Sequence, residues 1–364
     1  MPMTAKQKTL TIAATICQVI LGGVFVFSGF VKTVDPWGTA IKVGEYLHSF
    51  GLDWVGGYRF GFAILLCAAE LILGLLLLLR VRTPLVSILS LAAMTAFTAL
   101  TLYIAGWGTV EDCGCFGDAV KLTNWQTFYK NLVLWPMSLL VWWHSRGGAL
   151  WSFSRAEVIK TVVVAAAAFG LGTYCYRHLP LIDFLPYKVG VNLRAELAAE
   201  SEVKAVFVCR NLESGELREF GECDTEWYDT SVWEFVESRE VSAGGRNMSL
   251  GEFSVFDSEG DHTAEILETE GIIHLLCISK LEMFDARCAE RMAAFVARAV
   301  AAGEEVVATT STPLEGVQTI TLGGCAVPLY NIDATTQMTM LRAKAGVVTL
   351  RDGVITQKLN CRDM

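Results

Sequence analysis

Hydrophobic positions along the chain fall into two regimes. Up to residue 186 they form long runs separated by short polar loops, and beyond it they come in short stretches with strand or helix periods. The first regime holds five apolar stretches, residues 10–31, 58–79, 84–106, 125–143 and 158–176. Each has about 20 residues, enough at about 1.5 Å per residue to cross about 30 Å of hydrocarbon. The first is longer than a signal-peptide core and lacks a small-x-small cleavage pattern, so it is expected to be retained.

Pro180, Pro186 and Gly190 mark a connector into the second regime. Residues 205–209 and 217–220 read as a hairpin around Glu213-Ser214-Gly215-Glu216. From residue 251 the expected order is a strand at 253–256, a buried apolar strand at 272–278, an amphipathic helix over 284–302 and a strand at 305–309. A short helix over 335–343 follows, then strands 347–350 and 354–358 flanking the turn Arg351-Asp352-Gly353.

Charge sharpens the division. Residues 1–186 carry 13 Lys and Arg against 9 Asp and Glu, whereas residues 187–364 carry 16 against 29. A membrane half followed by an acidic soluble half is the simplest arrangement, and the acidic balance argues against nucleic acid as a partner. Lys6, Lys8, Arg80, Arg82, Arg146 and Arg155 fall on one side of the apolar stretches. Lys42 and Lys121 fall on the other, with Asp35, Glu45, Asp53, Glu111, Asp112 and Asp118. The positive-inside rule then predicts five spans in the inner membrane, with a cytoplasmic N-terminus and a periplasmic C-terminal half. Trp37, Trp54, Trp107, Trp125, Trp142 and Trp143 lie near span ends, where interfacial anchors belong.

Eleven cysteines suit an exported compartment that permits disulfides. The densest chemistry is Asp112-Cys113-Gly114-Cys115-Phe116-Gly117-Asp118, in the outward loop between the third and fourth stretches. A disulfide needs Cα atoms roughly 4.4–6.8 Å apart, which an i, i+2 pair reaches only through a sharp fold that Gly114 permits. So small a ring would be strained and exchange readily, as a thiol oxidase or isomerase requires. Phe116 offers an apolar contact. Asp112, Asp118 and Glu111 disfavour thiolate unless Lys121, Lys130 or a helix N-terminus approaches. A loop staple and a pair of inert thiols are the bland readings. A Cu(I) site is a further one, although no His or Met cluster completes it.

Glu70 is the one carboxylate deep in a span. Two readings fit it equally: a proton relay or quinone hydrogen bond, and a protonated carboxyl bonded within the bundle. Cys67, three residues earlier, reads as packing. Lys130 and Asn131 open the fourth stretch and could orient the loop, Lys130 by pairing with Glu111 or Asp112 or, more simply, by snorkelling. In the soluble half Cys209 and Cys223 could bridge the hairpin or remain separate thiols. Cys288 reads as a buried helix thiol.

Two resemblances add to this. Residues 251–364 resemble a thioredoxin-like domain by element order. The place of the Cys-x-x-Cys, however, reads Ser279-Lys280-Leu281-Glu282-Met283-Phe284, which favours docking or substrate positioning over dithiol catalysis. Ser28-Gly29-Phe30-Val31-Lys32, Glu70, Gly74, the Cys-Gly-Cys-Phe-Gly loop and residues 124–131 together resemble the DoxX/MauE group, and its MauE branch most, over residues 9–143. With Asp183-Phe184-Leu185-Pro186-Tyr187-Lys188 and the tail, the whole resembles a MauE/DoxX fusion of the kind found in Bacteroidetes. The resemblance implies a four-helix bundle, redox association and, for MauE itself, disulfide formation in a periplasmic dehydrogenase subunit.

The expected fold is therefore a DoxX/MauE-like membrane all-α four-helix bundle over 1–150, then a fifth transmembrane helix and connector over 151–186. A hairpin-containing linker over 187–250 and an α/β thioredoxin-like domain over 251–364 complete it. The expected function is thiol-disulfide exchange by Cys113 and Cys115 with an exported client or a periplasmic oxidoreductase. Glu70 and Lys130 would give support, Asp112, Phe116, Asp118 and Asn131 would shape the site, and electrons would pass to a quinone or a partner protein. The competing class is a membrane-anchored scaffold that binds a client through its soluble domain.

Overall fold

The structure, a computed structural model, describes residues 4–81, 83–107, 110, 112–148, 154–200, 204–212, 214–221, 224, 226–241, 253–316 and 318–364. It divides into two compact units, Met1–Phe184 and Leu185–Met364.

The first unit is helical. Helix α1 (Ala5–Val34) starts from a capping box in which Thr4 and Gln7 satisfy each other's backbone N–H groups. Asp35 ends it and caps α2 (Pro36–Ser49), whose first residue is a proline already set at helical φ. A short 3-10 stretch, Asp53–Tyr58, runs into α3 (Arg59–Leu78), and α4 (Thr83–Gly106) follows. Capping boxes at Thr123 and Ser154 start α5 (Asn124–Ser145) and α6 (Arg155–Arg177). Helix α2 was not expected from the sequence.

All five expected apolar stretches are helices, and four are long and apolar enough to cross a membrane: Ala5–Val34, Asp53–Leu78, Pro84–Gly106 and Arg155–Arg177. The expected fourth span, 125–143, falls in α5 and is not among them, because Gln126, Lys130, Asn131 and His144 dilute its apolarity. Its buried positions, Thr127, Asn131, Leu134, Ser138 and Val141, recur every three or four residues, so α5 turns one mixed polar stripe inward.

Helices α1 and α3 pack backbone to backbone. A Cβ on Gly29 would lie 2.3 Å from the Leu71 nitrogen, and one on Gly74 would lie 2.5 Å from the Val26 nitrogen. Small residues that let helices meet this closely replace the hydrophobic drive that lipid removes. Gln18 fastens the pair further along, its Nε2 donating to the Leu77 carbonyl at 2.7 Å.

The second unit is α/β. Helix α7 (Leu193–Glu200) precedes a three-stranded antiparallel sheet of β1 (Lys204–Asn211), β2 (Leu217–Gly221) and β3 (Trp233–Val241), in order β2-β1-β3. Strand β4 (Val255–Phe256), α8 (Thr263–Glu268), β5 (Ile272–Ile278), α9 (Ala286–Ala301) and β6 (Glu305–Thr310) come next. They are followed by β7 (Gln318–Leu322), β8 (Cys325–Ile332), α10 (Ala334–Met340), β9 (Ala345–Arg351) and β10 (Val354–Asn360). The second sheet runs β10-β9-β5-β6-β8-β4, with β7 on β8; β5, β6 and β8 are mutually parallel, while β9 and β10 run antiparallel to their neighbours. Every residue of β5 after Ile272 is buried, including His274, whose ring nitrogens lie 3.0 Å from Thr349 Oγ1 and 2.8 Å from Glu304 Oε2. Asp352 and Gly353, both at positive φ, make the tight β9–β10 turn.

Cys288 is not the lone helix thiol expected from the sequence. It is bonded to Cys361, 73 residues later, with Cα atoms 5.3 Å apart, and this ties the end of the chain to α9. Cys209 is a buried free thiol in β1, while its expected alternative partner Cys223 lies outside the described residues.

The α1–α3 contact gives a direct test. Gly29→Ala is expected to destabilise the protein in detergent by about 1–3 kcal/mol through overpacking. Gly23→Ala, with nothing within 4 Å of the new methyl, is expected to leave the unfolding midpoint unchanged.

Candidate functional site: the thiol loop and the charges beneath it

The loop between α4 and α5 is folded by its own short-range bonds. Gly114 takes φ +62°, a conformation that costs other L-residues, and its N–H donates to Asp112 Oδ1 at 2.9 Å. The Gly117 N–H then donates back to the Gly114 carbonyl at 3.0 Å. This turn brings the Cys113 and Cys115 sulfurs to 2.8 Å as free thiols. Helix α2 holds the loop from one side: Tyr46 Oη donates to the Cys113 carbonyl at 2.9 Å, and the Lys42 ammonium lies 3.5 Å from Asp112 and 3.0 Å from Glu45.

From below, α1 and α3 supply a buried charge pair. Lys32 Nζ donates to Glu70 Oε1 at 2.8 Å and to Oε2 at 3.0 Å, with side chains only 9% and 3% exposed. One turn before Lys32 on the same face, Ser28 Oγ lies 2.7 Å from Glu70 Oε2 and 2.6 Å from the Cys115 carbonyl oxygen. Its single proton serves one acceptor at a time, so Ser28 connects the ion pair to the thiol loop. Gly29 sits between these two residues in sequence, against Glu70 and Leu71, and the absence of a side chain there lets Lys32 and Ser28 reach across.

Helix α5 closes the far wall. The Lys130 ammonium lies 4.1 Å from the Phe116 ring centroid, and Phe116 meets Phe27 edge-on at 5.2 Å. Asn131 donates to Thr101 Oγ1 at 3.2 Å and to the Phe97 carbonyl at 3.4 Å, which fixes α5 to α4. Between these walls lies a cavity of about 80 Å³. Cys113, Cys115, Lys32, Glu70, Lys130 and Asn131 line its polar part, and Phe25, Leu66, Met94 and Phe97 are among its apolar walls.

The site residues expected from the sequence thus divide. Cys113, Cys115, Glu70, Lys130, Phe116 and Asn131 share the cavity. Asp112 is the loop's fold-maker and is paired to Lys42, not to Lys130. Asp118 lies in the short 3-10 turn Gly117–Ala119 and does not line the cavity. Glu111 lies outside the described residues. Glu70 is bonded within the bundle, and its partners there are Lys32 and Ser28. Sequence reasoning gave no site role to Ser28, Lys32, Lys42 or Tyr46, although Ser28 and Lys32 belong to the motif that carries the family resemblance. The signal for the first two was available, since they are polar residues at i and i+4 near the end of an apolar span.

These surroundings split the two thiols. The hydrogen bond from the Cys113 thiol, helped by the positive charges of Lys32 and Lys130, pulls Cys115 down to about 7 against the opposing effect of burial. The same contact and burial push Cys113 up, so Cys115 is the thiol that loses its proton first. Burial also pushes Tyr46 up, and its phenol stays protonated and able to donate. The acidic loop is therefore no obstacle to thiolate: Asp112 is neutralised by Lys42, and two lysines from outside the loop face Cys115.

Because Cys115 is lowered, its thiolate is present above the midpoint and lost as pH falls through it. Alkylation of Cys115, followed by peptide mass spectrometry, is expected to rise with a midpoint near 7 and level off above pH 8, while Cys113 stays slow throughout.

No curated protein and no solved structure matches the chain. Residues 10–144, which contain most of α1, all of α2 to α4, the thiol loop and nearly all of α5, match the family described as methylamine utilisation protein MauE.

Proposed function

We propose that this is a membrane thiol-disulfide exchange protein in which Cys115 is the attacking thiolate and Cys113 the resolving thiol. The observation that carries this reading is the pair of sulfurs 2.8 Å apart with Lys32 and Lys130 facing Cys115 from two helices. In the forward step the Cys115 thiolate attacks one sulfur of a client disulfide. A mixed disulfide forms, and the client's other sulfur leaves as thiolate. Cys113 then gives up its proton, attacks the Cys115 sulfur and releases the second client thiolate. The client gains two electrons and the loop pair loses them; client oxidation is the same sequence reversed.

In this reading α5 is a fifth crossing, its polar stripe tolerated because it faces the bundle. The N-terminus is cytoplasmic, and the loop and the Leu185–Met364 unit are periplasmic. The second unit is thioredoxin-like: the order β10-β9-β5-β6 with α9 between parallel β5 and β6 supports that core. Helix α9 opens with Asp285-Ala286-Arg287-Cys288, and the Cys288 N–H donates to the Asp285 cap at 2.9 Å. The thioredoxin dithiol would stand here, not at Ser279–Phe284. An aspartate occupies its first position, and Cys288 is committed to Cys361. The unit therefore serves docking rather than exchange. When the sequence runs in reverse and the client is oxidised, the loop pair gains two electrons and must pass them on, and a partner oxidoreductase is preferred over a quinone as their acceptor. When the client is reduced, a dithiol of a partner oxidoreductase supplies the two electrons that reset the loop. The cavity of about 80 Å³ is smaller than the roughly 150 Å³ that accommodates a benzene ring.

The test is trapping in membranes of cells expressing the full chain. Cys113→Ser, which removes the resolving thiol, is expected to accumulate a mixed disulfide through Cys115, visible on non-reducing gels and identifiable by mass spectrometry. Absence of any adduct from either single variant, with full function in the Cys113→Ser/Cys115→Ser protein, would establish the scaffold role instead.

A further inference from the structure

Cys115 and Glu70 line one cavity with the buried Lys32, and both can carry a negative charge. Ser28, one turn from Lys32, is within hydrogen-bond distance of the Glu70 carboxylate and of the Cys115 backbone. A lysine held in apolar surroundings needs a partner to remain charged, and here Glu70 is that partner at 2.8 Å. Two anions around one ammonium compete for it: whatever strengthens the hold of one weakens the hold of the other.

We propose that Lys32 is a shared cation, divided between the Glu70 carboxylate and the Cys115 thiolate, and that the Lys32–Glu70 pair is the positioning element that sets the nucleophilicity of the thiol loop. This rests on the exchange reading above and adds a control to it. When Cys115 is bonded to a client or to Cys113, its negative charge is gone and Lys32 belongs to Glu70 alone. When Cys115 is released as thiolate, Lys32 is shared again. The ammonium thus stabilises the leaving form of Cys115.

The other groups around Cys115 leave this role to Lys32. From α2, Lys42 is engaged by Asp112 and Glu45, and Tyr46 donates to the Cys113 carbonyl. From α5, Lys130 stacks on Phe116 and adds a second, weaker positive influence on Cys115. Within the loop, Cys113 supplies the hydrogen bond that splits the pair, Asp112 is tied to Lys42, and Lys121 lines a separate small cleft beside Cys115. Glu70 is the remaining carboxylate that faces the cavity among the described residues.

A shared cation makes a prediction that a packing role does not. Removing the cation and removing its other anion must move Cys115 in opposite directions. The readout is the pH profile of Cys115 alkylation in the full-length protein in detergent, with the site assigned by peptide mass spectrometry. Lys32→Met is expected to move the midpoint upward and slow alkylation at pH 7 by about tenfold or more. Lys32→Arg is expected to restore it. Glu70→Gln is expected to move the midpoint downward and speed alkylation at pH 6 severalfold. If either single variant fails to fold, Lys32→Met/Glu70→Gln leaves no buried charge unpaired and keeps the question open to test. The double variant is expected to raise the midpoint, because the influence of Lys32 on Cys115 exceeds that of Glu70. Shifts of the same sign in the two folded single variants, or an unmoved midpoint in the folded double variant, would overturn the shared cation. A midpoint near that of an ordinary thiol in the unaltered protein would instead overturn the exchange reading itself.

Discussion

The buried Lys32–Glu70 ion pair is the constraint on which the membrane unit is organised. Two charges taken out of water are costly, and they are tolerated only where geometry and further hydrogen bonds compensate. Here the geometry comes from glycine. Gly29 and Gly74 let α1 and α3 touch, which places Ser28 and Lys32 within reach of Glu70. The same Ser28 then holds the Cys115 carbonyl, so the position of the thiol loop follows from the packing of two helices that carry none of its cysteines. Helices α2 and α5 complete the enclosure with Tyr46, Lys42, Lys130 and Asn131. A loop that reads as short and acidic in sequence is thereby placed in a basic environment.

The second unit shows a different economy. Its larger sheet is built around a central buried strand, β5, flanked by β6 and β9, and two of its cysteines are joined in a disulfide. Cys288 and Cys361 are buried and bonded, and Cys277 lies buried within β5. Closing a loop of 73 residues removes considerable freedom from the unfolded chain, by about 4 kcal/mol in the chain-entropy account. The first unit, by contrast, brings two free thiols together within one loop.

Much of this was legible in the sequence because local physics dictated it. The five apolar stretches are helices, the Asp352-Gly353 turn joins two strands, and the largely apolar β5 is buried. The sharp fold of the Cys-Gly-Cys loop was legible because Gly114 permits it, and it takes φ +62° there. What escaped was of two kinds. Some signals were present and unread: Asp35-Pro36 is a helix start, and Gly323-Gly324 is a hairpin turn between β7 and β8. Pro328 argued against a strand there, yet it sits on β8 outside the stretch that pairs with β6. The other kind was not readable at all. A helical period tells which face of α1 is polar, but not that Glu70 lies opposite it. A cysteine count likewise does not tell that Cys288 joins Cys361.

The central claim is that Cys113 and Cys115 form a working redox couple. It is tested most directly by equilibrating the full-length protein in detergent with graded thiol-disulfide buffers, then trapping and quantifying both states of the loop by mass spectrometry. The account predicts a reversible two-electron transition between dithiol and disulfide at a potential above about −300 mV, the range below which buried structural bridges lie. A pair that stays reduced in fully oxidising buffer would contradict it, as would a pair reduced only together with Cys288–Cys361.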